Sequence, residues 1–393
     1  MKYDAKSGHL EDVYKTMKDL LPMVNPTDIA ISGWDISSAN LFDACKRACV
    51  LEPDLVNQLK PHLSAIVPLK AAFNKDYVAA NQADRVDNVI VGSNAEVVEI
   101  LRAQMREFKT TVEKVIVLWS ANTEMFYLPE IDSADALERK ILEDEPLPSS
   151  VLYAYAAIKE GITYLNGSPQ NTLHPGVIEL AAREQSLVGG SDFKSGQTKF
   201  KTIMSDFLIG TGLKLSSVAS YNHLGNNDGK NLSEDKCFQS KKISKAGVLD
   251  DAVNSNKVLY PNGPEGAIDH EVVIKYLPFV KDSKRALDEY SSKIFMNGTS
   301  TIATYNICED SLLAVPIMID MVVLAELFSR MTIDGKKLGP VLSYLSFFFK
   351  APITNHNEYV IHSFSRQKET LTNLLKAAAG YEPEDNTLLA FGF

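Results

Sequence analysis

Lys241 and Lys245 stand four positions apart, with Lys236 and Lys242 close by. On a helix that spacing puts two ammonium groups on one face, where like charges repel unless an anion lies between them. A solvated surface would account for the pair as well. Lys284, in Lys281-Asp282-Ser283-Lys284, is ambiguous by itself, whereas Lys350 directly follows Phe347-Phe348-Phe349 and is a candidate for burial. Burial lowers the pKa of an ammonium and can make it a general acid or base near neutral pH. A further candidate is the loop Ser191 to Lys199, which gathers Gly, Ser, Thr and Lys after an apolar segment. Small residues let backbone N–H groups reach an anion, and a helix starting there adds its positive end. An ordinary capped helix start is the alternative. The loop is not a P-loop, because Ser191 stands where that motif needs Gly and Gln197 where it needs Lys.

Other motifs carry less. Asn226-Asn227-Asp228-Gly229 has the composition of a turn. No His pair has metal-site spacing and no Cys pair is C-x-x-C, so no metal is expected. Cys45 and Cys49, one helical turn apart, read as small core residues. Asp310 or Ser311 could cap the apolar helix that follows them. There is no G-x-S-x-G elbow, and Gly210-Thr211-Gly212 lacks the third Gly of a dinucleotide fingerprint. The residues alone point to an α/β enzyme handling a phosphorylated small molecule.

The segments that must position these residues alternate between strand-like and helix-like, which favours an α/β architecture. Asp28 to Gly33 is a short strand-like apolar run ahead of a helical pattern over Asn40 to Val50. Val115 to Trp119 is a continuous run rich in β-branched residues, as in a strand covered on both faces. It follows a charged helical stretch, Ala95 to Glu113, and runs into the polar turn Ser120-Ala121-Asn122-Thr123. A helix over Tyr153 to Glu160, a strand over Ile162 to Leu165 and the loop Asn166 to Thr172 repeat the unit. A third unit ends near Val188, just before the Ser191 loop. In α/β folds ligands sit at these carboxyl ends of strands. Ser216 to Ser220, Glu271 to Lys275 and Ser300 to Thr304 read as further strands, and the chain is helical again from Ser311.

With 393 residues, 45% hydrophobic and 23% charged, the chain has the makings of a globular core and is not globally disordered. Its 40 Lys+Arg against 50 Asp+Glu leave a net charge of −10, which disfavours a nucleic-acid partner. The most apolar stretch, Leu312 to Phe328, carries Pro316, Asp320 and Glu326. A buried helix is therefore expected there, with no membrane partner. Sparse cysteines and an N-terminus without a signal-peptide pattern lead us to expect a cytoplasmic protein.

Trp119 to Glu124, Asn166 to Thr172, Asp192 to Lys199, Ser220 to Gly229, Lys281 to Tyr290 and Cys308 to Ala314 resemble the myo-inositol-1-phosphate synthase family. Leu20 to Pro26 and Gly33 to Ser37 extend the likeness, which runs in order from about residue 10 to the end. The resemblance implies an isomerase of inositol and phospholipid biosynthesis. It would turn glucose 6-phosphate into 1D-myo-inositol 3-phosphate with NAD as cofactor. Oxidation at carbon 5, enolisation, intramolecular aldol closure and re-reduction make up that reaction. Position by position, Lys241, Lys245, Lys284 and Lys350 match the family's active-site lysines, with Asp192 beside them. Lys241 and Lys284 are expected in electrostatic and proton-transfer roles, Lys245 and Lys350 in phosphate and oxyanion stabilisation. Ser195, Gly196, Gln197 and Thr198 match the phosphate-binding turn. Ala121, Asn122, Thr123, Gly167, Ser168, Asn226, Asn227, Asp228, Asp282, Asp310 and Ser311 match the cofactor side, which Asp192, Ser195 and Lys241 also border.

The fold implied is α/β, an incomplete Rossmann-like NAD-binding domain with an inserted α+β domain. The Rossmann-like part would span 1–200, the catalytic and oligomerisation domain 201–310, and a helical part 311–393 would return to the first. A homotetramer is implied as well. The family's opening strand, Gly-rich loop and helix are not found ahead of the stretch matching Leu20 to Pro26. Weakened cofactor binding is expected on that ground, and a non-catalytic subunit of a longer synthase is the competing reading. Smaller departures are Ser191 for the usual Asp, Met125 and Gln239 for Arg, Lys242 for Glu and Tyr305 for His.

Overall fold

Three short parallel strands, β1 (Ile116–Trp119), β2 (Thr163–Asn166) and β3 (Val188–Gly190), lie side by side in that order. Trp119 pairs with Asn166 and Asn166 with Gly190, so the three strands end level. The turns after them, each a site candidate, are thereby brought together. The computed structural model describes residues 2–4, 9–11, 16–249, 253, 256–263, 268–354 and 360–383.

The sheet is dry on both faces, which is why its strands read as unbroken apolar runs. Val117 and Tyr164 face a core shared with α1 (Asn94–Lys109), α2 (Ser149–Lys159) and α3 (Pro175–Arg183). Ile116, Leu118 and Leu165 face a second core, built from a long C-terminal helix and the aromatic run around Phe348. Helix α1 starts where Ser93 and Glu96 close a capping box, each side chain taking up the other's backbone N–H.

The strand-like run Asp28 to Gly33 is not a strand. Pro26–Asp28 is a 3-10 turn, no strand among the described residues pairs along the run, and Ile31 is 84% exposed. Pairing begins only at Trp34–Asp35, which runs parallel to Leu69–Lys70. Cys49 also departs from expectation. It is an exposed left-handed C-cap (φ 53°) of the helix Leu41–Ala48, and Cys45 is only half-buried.

Helix α4 (Gly196–Gly210) links the parallel sheet to a four-stranded sheet. Because it runs through residue 200, the expected boundary there falls inside a helix. The second sheet comprises β4 (Lys214–Leu224), β5 (Asp269–Tyr276), β6 (Ser283–Lys293) and β7 (Thr299–Glu309), in the order β7-β6-β4-β5. β4 and β5 are parallel, and β6 is antiparallel to both its neighbours. With period 2, Ser220, Asn222, Lys284 and Asp288 face inward, while Val273, Tyr221, Leu287 and Tyr305 form one cross-strand row on the outer face. All four outer side chains are substantially exposed. Two helices, α5 (Asn227–Asn231) and α6 (Asp235–Ala246), follow β4.

Helix α7 (Asp310–Arg330) leads back to the parallel sheet. By length and composition it could cross a membrane. Its second half, with Met321, Leu324, Ala325 and Phe328, is part of the core, whereas Leu312, Leu313 and Val315 in its first half are exposed. Asp310 and Ser311 do not cap it with their own side chains. The cap comes from Asp282, whose carboxylate accepts the Ser311 N–H (2.9 Å) and hydroxyl (2.7 Å).

Candidate active site

Asp192 follows the end of β3 in the left-handed region (φ 61°) and is almost fully buried. Its Oδ1 accepts from Lys241 Nζ at 3.1 Å and from Lys350 Nζ at 3.0 Å, and its Oδ2 from the Ser244 hydroxyl at 2.7 Å. Helix α6 supplies three of the residues around this carboxylate. Lys241, Ser244 and Lys245 share one face through i, i+3 and i+4 spacing. Lys245 Nζ lies 3.5 Å from Asn222 Oδ1 on β4. Lys284, at the start of β6, reaches Asp310 Oδ1 at 3.4 Å. The solvated-surface explanation of Lys241 and Lys245 is thus excluded: they belong to a buried cation cluster. Lys242 points the other way, 44% exposed and 3.8 Å from Glu271.

Electrostatics divide the lysines. Burial alone would raise the pKa of Asp192, but Lys241, Lys350 and Ser244 outweigh it and hold the carboxyl far below its ordinary range. Burial works against charge on Lys241 too, and Asp192 and Asp228 overcome it, so this ammonium is held above its usual pKa. Lys350 is pushed down to about 8 by burial, against the pull of Asp192. For Lys245 burial acts together with Lys284, Lys201, Lys350 and Lys241, and its pKa falls well below the ordinary value. Among the described residues no carboxylate pairs with Lys245. The arrangement therefore offers one fixed cation, Lys241, and one ammonium, Lys245, that burial and its neighbours make much readier to give up its proton.

The anion-cradle reading of the Ser191 loop survives in part. Ser195 is the N-cap of α4 but forms no side-chain cap, so the N–H groups of Gly196 and Gln197 open the helix while that of Thr198 donates to the Ser195 carbonyl at 3.1 Å. Gly196 lies near Cys308, the ladder partner of Lys284. Gly196 sits at φ 23°, and a Cβ there would press on Leu313 at 3.1 Å.

The residues expected on the cofactor side form one polar band at the level strand ends. Asp228 accepts from the Thr123 N–H (3.1 Å) and hydroxyl (3.2 Å). The side-chain amides of Asn122 and Asn227 both donate to Gln82 Oε1 at 3.0 Å. Ser168 donates to the carbonyl of Ala121 at 2.6 Å, and Asn226 caps α5 while reaching Asp282 at 3.4 Å. Gly167 has a packing role: a Cβ there would lie 1.9 Å from the Phe193 ring. Carboxylates and amides at the carboxyl ends of parallel strands suit ribose hydroxyls and a carboxamide, so this donor set fits a nicotinamide dinucleotide.

Three participants escaped the sequence reading. Ser244 and Lys201 were signalled by helical spacing, from Lys241 and from Gln197 respectively; Gln82, in a 3-10 stretch, had no signal at all. Among the described residues no group of His, Cys, Asp and Glu could hold a metal ion.

Comparison with known proteins agrees with this geometry. A family model of the NAD-binding class, described as myo-inositol-1-phosphate synthase, matches residues 1–376. Inositol-3-phosphate synthase 1 of Oryza sativa subsp. japonica is 49% identical, across 97% of this chain and 77% of its own length. Inositol-3-phosphate synthase isozyme 1 of Arabidopsis thaliana is 48% identical, across 97% and 76%. The crystal structure of inositol-3-phosphate synthase from Caenorhabditis elegans superposes with a TM-score of 0.94 at 47% identity, covering 100% of this chain and 78% of that one. A myo-inositol-1-phosphate synthase-related protein from Thermotoga maritima MSB8, at 19% identity and a TM-score of 0.68 over 93% of this chain and 90% of its own, shares the fold. With a buried lysine cluster beside a helix N-terminus, and a family match running through every element that builds it, the chain belongs to the myo-inositol-1-phosphate synthase family.

Proposed function

We propose that the chain is an NAD-dependent isomerase that converts glucose 6-phosphate to 1D-myo-inositol 3-phosphate. The observation that carries this reading is the convergence of Lys241, Lys245, Lys284 and Lys350 around Asp192 and Asp310, next to the N-terminus of α4. A dianionic phosphate, an enolate and an alkoxide arising in one small site call for several fixed cations. Asn122, Thr123, Ser168, Asp228, Asp282 and Ser311 would hold NAD. Once bound, it supplies reversible hydride transfer at carbon 5 of the sugar.

The remaining chemistry falls to side chains. A ketone at carbon 5 acidifies the protons on carbon 6, and Lys245, whose ammonium form is disfavoured by burial and by the surrounding lysines, would accept one. Lys241, locked as an ammonium by Asp192, stabilises the enolate oxygen. The enolate attacks the aldehyde carbon, and Lys350, with a pKa near 8, returns a proton to the oxygen left there. Lys284 and the α4 N-terminus hold the phosphate. Compared with the roles implied by resemblance alone, Lys245 and Lys284 change places.

Phosphorus NMR of purified chain with glucose 6-phosphate and NAD tests the reading. Product is expected from the native chain and not from K245M. A folded native chain that forms none, or an undiminished rate in K245M, refutes it. We also assign the chain to a homotetramer in the cytoplasm. The exposed outer row of the second sheet supports the first assignment, and the free Cys45, Cys49, Cys237 and Cys308 are in keeping with the second. Light scattering of Y305D, expected to lose the tetramer mass, checks the assembly.

A further inference from the structure

Lys201 and Asp288 are buried and charged, and neither contacts the substrate in the reaction above, although Lys201 is one of the charges that depress Lys245. Lys201 is 3% exposed and Asp288 2%. Lys201 lies one helical turn beyond Gln197 on the same face of α4. Its Nζ donates to Ser220 Oγ at 2.6 Å and to His270 Nε2 at 3.1 Å. Asp288 stands directly opposite Ser220 in the β4–β6 ladder. Both its carboxylate oxygens accept from Gln197 Nε2, at 2.9 and 3.1 Å. The first two turns of α4 are therefore tied to three strands of the second sheet by charge-assisted hydrogen bonds in a dry layer. Such bonds are the strong ones, and low dielectric strengthens them further.

This geometry also fixes what Gln197 can do. Its amide nitrogen is committed to Asp288, and its Oε1 is buried without a partner among the described residues. A phosphate at the turn meets backbone N–H groups, not the Gln197 amide. The direction of those N–H groups depends on how α4 is seated, and a displacement of about 1 Å at a binding group can cost on the order of 100-fold.

We propose that Asp288 and Lys201 are positioning residues for the phosphate of the substrate, clamping α4 through Gln197 and Ser220 so that its first N–H groups point into the lysine cluster. The inference rests on the glucose 6-phosphate reading above and deepens it.

The test is a double-mutant cycle on the full chain with Q197M, D288L and both together, plus K201M. Calorimetric Kd and KM for glucose 6-phosphate are the main readouts, with kcat and the KM for NAD alongside. Each single variant should weaken glucose 6-phosphate binding about tenfold, and in Q197M and D288L KM should change more than kcat. K201M also relieves Lys245 of a neighbouring charge and should lower kcat as well. The KM for NAD should not move. The double variant should be no weaker than the worse single one, because both remove the same tie. D288N should recover part of the loss, since its Oδ1 still accepts one N–H. If D288L does not fold, D288N with Q197M completes the same cycle. Multiplying effects of Q197M and D288L, an equal rise in the NAD KM, or native affinity in K201M would overturn the clamp. A native chain that turns over glucose 6-phosphate while the cycle multiplies sinks this inference alone; a native chain that neither binds nor converts it sinks the proposed function as well.

Discussion

Replacing Asp192 with Asn removes one negative charge at nearly constant shape from between two ammonium groups. The Oδ1 separations are 3.1 Å to Lys241 and 3.0 Å to Lys350. At an effective dielectric of about 20, one unit pair at about 3 Å interacts by roughly 5 kcal/mol. The loss cannot reach twice that figure, because Lys350 has an escape. With a pKa near 8, it gives up its proton at pH 7 for about 1 kcal/mol. Lys241 has none, as its ammonium is held above its ordinary range. The expected destabilisation is therefore about 3–5 kcal/mol at pH 7, that of orphaning one partner of a buried pair. The sign of its pH dependence follows. In the native chain the Lys350 proton is kept up to about pH 8, whereas in D192N it leaves earlier. The gap between the two proteins should then narrow by about 1 kcal/mol from pH 7 to pH 9. Urea unfolding of both proteins at those two pH values measures it. Turnover in D192N should fall by about 100-fold or more, the usual scale for losing a preorganised electrostatic group. A gap below about 1 kcal/mol, or one that widens with pH, would show that Asp192 does not hold these lysines.

K245M should lose turnover yet unfold at higher urea concentration than the native chain, because it relieves a buried amine without an ion pair among the described residues. Glu124 is buried against Ser150 with its pKa raised to about 7, chiefly by desolvation. An acid whose folded pKa is raised loses stability as pH climbs from its unfolded value to its folded one. E124Q should accordingly match the native chain at pH 4.5 and exceed it by about 2–3 kcal/mol at pH 8, as read by urea unfolding. A Cβ at Gly225 would lie 2.4 Å from Lys281 N and 2.5 Å from Leu277 O, both rigid backbone. G225A should cost about 1–3 kcal/mol and raise the KM for NAD, since Asn226 and Asp282 flank this contact.

How much of this was legible depended on which physics wrote the signal. The strands of the parallel sheet were plain, because burial on both faces leaves nothing polar in Ile116–Trp119. β6 was not: Arg285, Asp288, Glu289 and Lys293 break any apolar alternation, because Asp288 serves a polar inner face while Glu289 and Lys293 lie on the solvated outer one. Asp28 to Gly33 misled for the opposite reason, since an apolar run becomes a strand only where a partner lies alongside. Lys241 and Lys245 illustrate the limit at the site. Their spacing announced a shared face but not its direction, which is decided by Asp192, 49 residues away. Resemblance brought the four lysines together; only the structure shows that Asp192 holds Lys241 and Lys350 while Lys245 has no carboxylate among the described residues.

Asp192 also sits at a long chain closure. Its partners lie 49 and 158 residues distant, and contacts of such separation are slow to form because loop entropy must be met first. Until the carboxylate is in place, crowding Lys241 and Lys350 is repulsive. The centre of the site is therefore expected to assemble after the two sheets, on the native side of the folding barrier. Substitutions at Asp192 should then speed unfolding and leave the folding rate nearly unchanged. What the chain gains by neutralising this cluster is, in kinetic terms, the lifetime of the folded state.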